Sequence, residues 1–222
     1  MPRPVVRLNV RVDQHSPRTA TAVERVVLLH GFQNRRPHEH WQHWLAEELR
    51  RAGAEVRYPQ LPEPDAPKLD AWLEVLEREL GGAAAASTVV VAHSLGAALW
   101  IDYTRRRFAA GPARGPVVAR AVLVAPPSRS VALGIPEIAA FAPPAPGERE
   151  ARALRTASIE APQLVASDAD PYDPEGVAAS YAEPYGLDAR IVPGGGHLTP
   201  ADGFGPFPLL LELATRPLAA AA

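Results

Sequence analysis

Val89-Val90-Val91-Ala92-His93-Ser94-Leu95-Gly96 is the stretch that decides the fold. A β-branched run of the kind that fills a buried parallel strand stops at small residues. An Ala-rich helical stretch follows at once. A serine at such a junction sits on a tight strand-to-helix turn. Its hydroxyl is pushed out above the sheet, and the N-terminus of the following helix points at it. Ala92 and Gly96 suit this place because the turn crowds strand against helix. The plainer alternative is an ordinary βα turn that happens to contain a serine.

Three further strand ends carry chemistry. Val26 to Leu29 runs into His30-Gly31-Phe32. The glycine lets the chain turn so that a backbone N–H, that of Phe32, faces the serine. The N–H of Leu95 would be the second such donor. Gln163 to Ser167 reads as a strand with Asp168 and Asp170 just past its end. Ile191-Val192-Pro193 leads into Gly194-Gly195-Gly196-His197, a flexible run from which a histidine reaches over the strand ends. A serine hydroxyl is a poor nucleophile at neutral pH and needs a base, for which His197 is the candidate. An acid on the other ring nitrogen would fix the tautomer. Asp170 is preferred, because Pro171 stiffens the turn behind it. Asp168 is the rival, with a solvated loop acid as its plain reading.

Between these points strands alternate with helices. Residues 5–12 alternate apolar with polar, as in a half-buried edge strand, and 14–22 are turn-like. Helices are expected at about 38–52, 69–80, 95–108, 175–185 and 206–214, and further strands at 56–58, 121–125 and 189–193. Residues 126–160 carry prolines and weak periodicity, so a short cap-like insertion is expected there. The pattern predicts one α/β domain over 1–222 with a doubly wound, mostly parallel sheet. Ligands of such sheets bind at the carboxyl ends of the strands, where all four segments fall.

Composition narrows the rest. A chain of 222 residues buries a substantial core. A net charge of −2 gives no strong pull toward nucleic acid or an anionic membrane. No apolar run approaches a membrane span, and Met1 to Val5 lacks the apolar core of a signal peptide, so a cytoplasmic protein is expected. The absence of cysteine removes disulfides, a thiol nucleophile and thiolate metal sites. Lys68 is the only lysine among 23 Lys and Arg residues, which reads as a coding bias. The Ala219–Ala222 tail is expected to fray.

The chain resembles the α/β-hydrolases, and among them the small, nearly lidless serine hydrolases that include the retinoblastoma-binding serine hydrolase. The carrying residues are His30-Gly31-Phe32, Trp41-Gln42-x-Trp44, Asp70-x-Trp72 and Ala92-His93-Ser94-Leu95-Gly96. To these add Ser167-x-x-Asp170-Pro171-Tyr172 and Gly196-His197 with Gly203-Phe204-Gly205. They span about residues 26–208. The resemblance implies Ser94 as nucleophile, Asp170 as orienting acid, His197 as base, and Phe32 and Leu95 as oxyanion donors. The order Ser, Asp, His is that of the superfamily. The chain departs from the family at Leu198-Thr199-Pro200 and at Phe207-Pro208, where a polar residue and Trp-Pro are usual. Those positions shape the pocket, so the substrate does not carry over.

Other residues have plainer readings. His93 and His30 are read as structural. Trp41, Trp44, Trp72 and Trp100 are read as core. Arg105-Arg106-Arg107 is read as a solvated helix end. His38, His40 and His43 form a His-x-His-x-x-His cluster of the kind that binds zinc, but no metal-hydrolase motif accompanies them, and a polar helix entrance is the plainer reading. The expected function is therefore a cofactor-free, metal-free serine hydrolase that cleaves a small ester, thioester or amide through an acyl-serine. Carboxylesterase activity on short-chain esters is the leading form. The alternatives are an aminopeptidase or amidase, a lactonase or lyase on the same residues, and a non-catalytic binding protein on this scaffold.

Overall fold

The computed structural model describes residues 22–111 and 115–218. The strand expected at 5–12, nearly all of the turn-like stretch after it, and the alanine tail lie outside the described residues. Six strands form one sheet: β1 (Arg25–Leu29), β2 (Glu55–Arg57), β3 (Thr88–His93), β4 (Arg120–Val124), β5 (Gln163–Ser167) and β6 (Ala189–Val192). Their order is β2-β1-β3-β4-β5-β6, and every neighbouring pair is parallel.

The long helices are α1 (Trp41–Arg51), α2 (Leu69–Leu80), α3 (Leu95–Ala110), α5 (Glu148–Thr156) and α7 (Pro208–Thr215). Alternation along the central strands sends side chains to two cores. Val26, Leu28, Val89, Val91, Val122 and Val124 pack with Trp41, Leu45 and Leu49 of α1 and Leu210 and Leu213 of α7. Val27, Leu29, Val90, Ala92, Ala121 and Leu123 pack with Trp72 and Leu76 of α2, Leu99 and Trp100 of α3, and Leu154 of α5. Both faces are covered, which is why β1, β3 and β4 read as continuous apolar runs.

The chain runs from β1 outward to β2, then crosses to β3 and proceeds in the opposite direction. The reversal leaves a crevice between the ends of β1 and β3. Those ends are His30-Gly31 and His93-Ser94.

Local chemistry explains where the elements differ from expectation. Helix α1 starts at Trp41 rather than near 38, because His40 is extended and its ring accepts from the Gln42 N–H as a cap. Segment 126–160 is more ordered than its periodicity suggested. It holds α4 (Arg129–Gly134), capped by Ser128, a 3₁₀ turn (Ala139–Phe141) and α5. α4 and the 3₁₀ turn are too short to display a helical period, and the buried face of α5 is built mainly from alanines, Ala151 and Ala153 beside Leu154. The helix expected at 175–185 is a π turn (Ala178–Ala182) followed by one α turn, α6 (Glu183–Tyr185). Pro184 lacks the N–H that a regular helix needs there. Arg120, wholly buried, ties β4 to Glu160 at 2.7 and 2.9 Å and donates to the Leu213 carbonyl at the end of α7. Among the described residues no helix is long and apolar enough to cross a membrane.

Candidate active site

Ser94 sits between β3 and α3 with φ 53° and ψ −122°, in the left-handed half of backbone space that a non-glycine residue rarely occupies. The turn is held because its N–H donates to the Val124 carbonyl at 2.9 Å. Gly96, the second residue of α3, lies against β1. A Cβ there would stand 2.7 Å from the Leu29 carbonyl oxygen and 2.8 Å from that of His30. Gly31 crosses directly over the serine, and a Cβ on it would stand 2.8 Å from Ser94 Cβ and 3.2 Å from Oγ. These two close approaches explain both glycines. Leu95 is the first residue of α3, so its N–H has no carbonyl acceptor one turn back within the helix.

His197 comes over the strand ends as expected. Its Nε2 lies 2.8 Å from Ser94 Oγ, and its Nδ1 lies 2.9 and 3.0 Å from the two oxygens of Asp170. A carboxylate only accepts, so Nδ1 carries the proton and Nε2 is the acceptor for the serine hydroxyl. The Asp170 side chain is 1% exposed, and one of its oxygens also accepts the Tyr172 N–H at 2.8 Å. Asp168 is turned away and accepts the Gly194 N–H at 2.7 Å, fixing the start of the glycine run. The structure thus brings Ser94, His197 and Asp170 together and leaves Asp168 out.

Three further imidazoles surround this chain of hydrogen bonds. His30 accepts the Leu61 N–H at its Nε2, 2.9 Å, and donates from Nδ1 to the Gly31 carbonyl, 2.9 Å. It therefore builds the loop that carries Phe32, as read from the sequence. His93 donates from Nε2 to the His197 carbonyl at 3.0 Å, so it braces His197 as well as packing. Burial, aided by repulsion from Arg36, pushes His30 down to about 4. Burial and the neighbouring His30 and His197 push His40 down to about 4. Burial and the same kind of neighbours hold His93 well below the ordinary value of 6.5.

All three are neutral when folded, whereas in the unfolded chain they protonate near 6.5. Below that value the unfolded state binds more protons, so stability falls with pH. Acidification from pH 6.5 to 5 should remove about 2 kcal/mol of stability for each of His30 and His40, with His93 acting in the same direction. That window lies above the range where ordinary carboxylates titrate. Thermal or urea melts across it are the measurement, and an unchanged midpoint would contradict buried neutral imidazoles.

Sequence reasoning missed Asp202. Its carboxylate accepts from the His197 N–H at 3.1 Å, the Thr199 N–H at 3.0 Å and Thr199 Oγ1 at 2.7 Å. Burial pushes its pKa up, but the bonds from Thr199 and His197 outweigh this and hold it below the usual carboxylate range. Trp41, read only as core, also donates from Nε1 to the Leu198 carbonyl at 2.9 Å. The loop bearing His197 is therefore held on three sides. The spacing Thr199-x-x-Asp202 is a capping box, and that was the available signal. Asp202→Ala should lower kcat on the order of a hundredfold through misplacement of the base, while Asp202→Asn, which keeps one acceptor, should lose far less. Steady-state kinetics of the two variants, with melts as control, test this; an Asp202→Ala enzyme at native kcat would show that the clamp does not matter.

Two cavities flank Ser94 and share Phe32, Gln33, His197 and Thr199. One, of about 320 Å³, extends toward Asn34, Arg35, His40 and His93. The other, of about 270 Å³, extends toward Leu95, Pro127, Ile135, Ile138 and Tyr172. A larger cavity, about 450 Å³, lies beside Arg129, Leu133 and Tyr181 and is lined by none of Ser94, His197 and Asp170. His38, His40 and His43 do not converge on a point. His40 caps α1, while the rings of His38 and His43 contact each other at 4.1 Å. No cluster of metal-ligating side chains occurs among the described residues. Arg105 and Arg106 pair with Asp102 at 2.6 Å each, at the end of α3.

The chain is similar in structure to the ydeN gene product of B. subtilis, with a TM-score of 0.70 and 22% identity over 86% of this chain and 96% of that one. It is also similar to a putative YdeN-like hydrolase of Pectobacterium atrosepticum, at TM-score 0.63 and 23% identity over 86% and 89% of the two chains. Est1E of Butyrivibrio proteoclasticus follows the same course at TM-score 0.58 and 12% identity, over 90% and 88%. These likenesses establish the α/β-hydrolase fold. No curated protein sequence matches significantly. The sequence pattern of the serine hydrolase family matches residues 26–216, nearly the whole described chain. The chain belongs to that family and is a hydrolase.

Proposed function

We propose that the protein is a carboxylic ester hydrolase working through an acyl–Ser94 intermediate. The observation that carries this reading is the continuous path from Asp170 through His197 to Ser94, with gaps of 2.9 and 2.8 Å, at the mouth of the β1–β3 crevice. His197 Nε2 takes the hydroxyl proton as Ser94 Oγ attacks the acyl carbon. The new oxyanion is met by the N–H groups of Phe32 and Leu95, each worth on the order of 3 kcal/mol of barrier. The imidazolium is stabilised by Asp170 and returns its proton to the departing alcohol. Water then enters, gives a proton to His197 and attacks the acyl carbon; the bond to Ser94 Oγ breaks, His197 returns the proton to Oγ, and the acid leaves.

The test is intact-mass spectrometry after incubation with a fluorophosphonate. One adduct on the native protein, absent from Ser94→Ala, is expected. A folded native protein that takes no adduct would remove Ser94 as the nucleophile and leave a binding role on a hydrolase scaffold.

A further inference from the structure

The backbone and the ring of His197 are held by different groups. Asp202, Trp41 and His93 brace the backbone of its loop. The ring has two in-plane anchors, Asp170 at Nδ1 and Ser94 Oγ at Nε2. Two aromatic rings also lie against it. His93 is 5.1 Å away between centroids and 3% exposed; Tyr172 is 4.4 Å away and 41% exposed. The His197 side chain is itself 11% exposed. Of the two neighbours, Tyr172 is therefore the outer one, between the imidazole and solvent.

The backbone of Tyr172 keeps its ring in that place. Its N–H donates to an oxygen of Asp170 at 2.8 Å. Its carbonyl accepts the N–H of Ser128, the cap of α4, at 2.8 Å. Pro171 fixes φ in the preceding residue. The backbone thus holds the carboxylate that orients His197, and the ring packs on the imidazole.

On the acyl–Ser94 reading proposed above, the covalent intermediate removes one of the two anchors. Once Ser94 is esterified, Oγ has no hydrogen to donate to Nε2. Asp170 then holds the imidazole at one nitrogen only, and the packing on its face must do the rest. Nε2 has to stay aimed at the acyl carbon, because it takes a proton from the water whose oxygen attacks that carbon. The bond from carbon to Oγ then breaks, and the same proton returns to Oγ. A contact between two aromatic rings is worth a factor of about two to twelve. We propose that Tyr172 is a positioning residue for deacylation, its ring keeping His197 in place while the serine hydroxyl is esterified. Acylation begins with both anchors present and depends on the ring much less.

Tyr172→Ala and Tyr172→Phe in the full chain test this, since both keep the backbone bonds to Asp170 and Ser128. The substrate is p-nitrophenyl butyrate, whose good leaving group makes acylation fast. Its kcat/KM reports acylation, and the decay of butyryl–Ser94, followed by intact mass, reports deacylation. In Tyr172→Ala, kcat/KM should stay within roughly threefold of native while the decay slows about tenfold. KM should then fall together with kcat, and butyryl–Ser94 should accumulate. Tyr172→Phe, which returns the ring without the hydroxyl, should restore the native decay. A residue that only shaped the cavity would raise KM instead. One that only supported the fold would slow both steps and lower the melting temperature. Either of those patterns, or a native decay rate in Tyr172→Ala, would overturn the proposal and leave the acyl–Ser94 reading intact. A native protein that never forms butyryl–Ser94 would bring down both.

Discussion

Ser94→Ala, His197→Ala and the double variant should all fall to one floor of activity, on the order of 10⁵–10⁶-fold below the native enzyme in kcat. In the proposed mechanism the two side chains serve one proton transfer. Without the hydroxyl there is nothing to deprotonate, and without the imidazole the hydroxyl does not ionise. Their losses therefore do not multiply. Asp170→Asn should cost about 10⁴-fold, for a different reason. An amide NH₂ facing Nδ1 would favour the tautomer with hydrogen on Nε2, which cannot accept the serine proton. Asp168→Asn should stay close to native, because the aspartate touches only the Gly194 N–H and an amide oxygen can take that bond. Hydrolysis of p-nitrophenyl butyrate, with a melt on each variant, measures all five. A double variant showing the product of the single losses would mean that Ser94 and His197 act independently, against the 2.8 Å geometry.

The parts of this molecule visible in sequence are those whose physics is local. The β-branched runs at 26–29, 89–91 and 121–124 were legible because a parallel strand covered on both faces admits little else. The segments at His30-Gly31 and at Ser94 were legible because each follows such a run directly, whereas Asp170 and His197 follow β5 and β6, which are not such runs. What was hidden depends on partners far away in the chain. Trp41 meets the Leu198 carbonyl across 157 positions, and His93 meets the His197 carbonyl across 104. Nothing in either residue's own surroundings announces that bond. Gln42 is similar. It lies on α1, wholly buried, and donates to the Leu29 carbonyl at 2.8 Å, so a polar residue on a helix face supports the loop over the serine. The choice between Asp168 and Asp170 needed the resemblance and one proline; the structure shows what separates them, since one carboxylate faces the ring and the other the glycine run. The edge strand expected at 5–12 stays untested, lying outside the described residues.

Gly31→Ala and Gly96→Ala should fail in opposite ways, although both add one methyl group near Ser94. At Gly31 the new Cβ would stand 2.8 Å from Ser94 Cβ and 3.2 Å from Oγ. Ser94 is held by its bond to Val124 and by its place at the head of α3, so the loop of His30 to Phe32 must give way. That carries the Phe32 N–H away from the developing oxyanion. A displaced donor costs on the order of a hundredfold in kcat. The loop lies at the crevice rather than within the sheet, so the melting temperature should change little. At Gly96 the obstacle is backbone: the carbonyl oxygens of Leu29 and His30 at 2.7 and 2.8 Å. Leu29 is the last residue of β1 and is paired in register with Ala92 of β3. Relief requires α3 to move off the centre of the sheet, where Leu99 and Trp100 pack without exposure. Overpacking of this kind costs about 1–3 kcal/mol, or roughly 2–12 °C in melting temperature for a domain of this size. Gly96→Ala should therefore lose stability and activity together, and Gly31→Ala activity alone. Paired melts and kcat values distinguish them. A Gly31→Ala enzyme at full activity would mean that the Phe32 N–H is not a donor to the reaction. A Gly96→Ala protein melting like the native one would mean that β1 and α3 do not meet as closely as described.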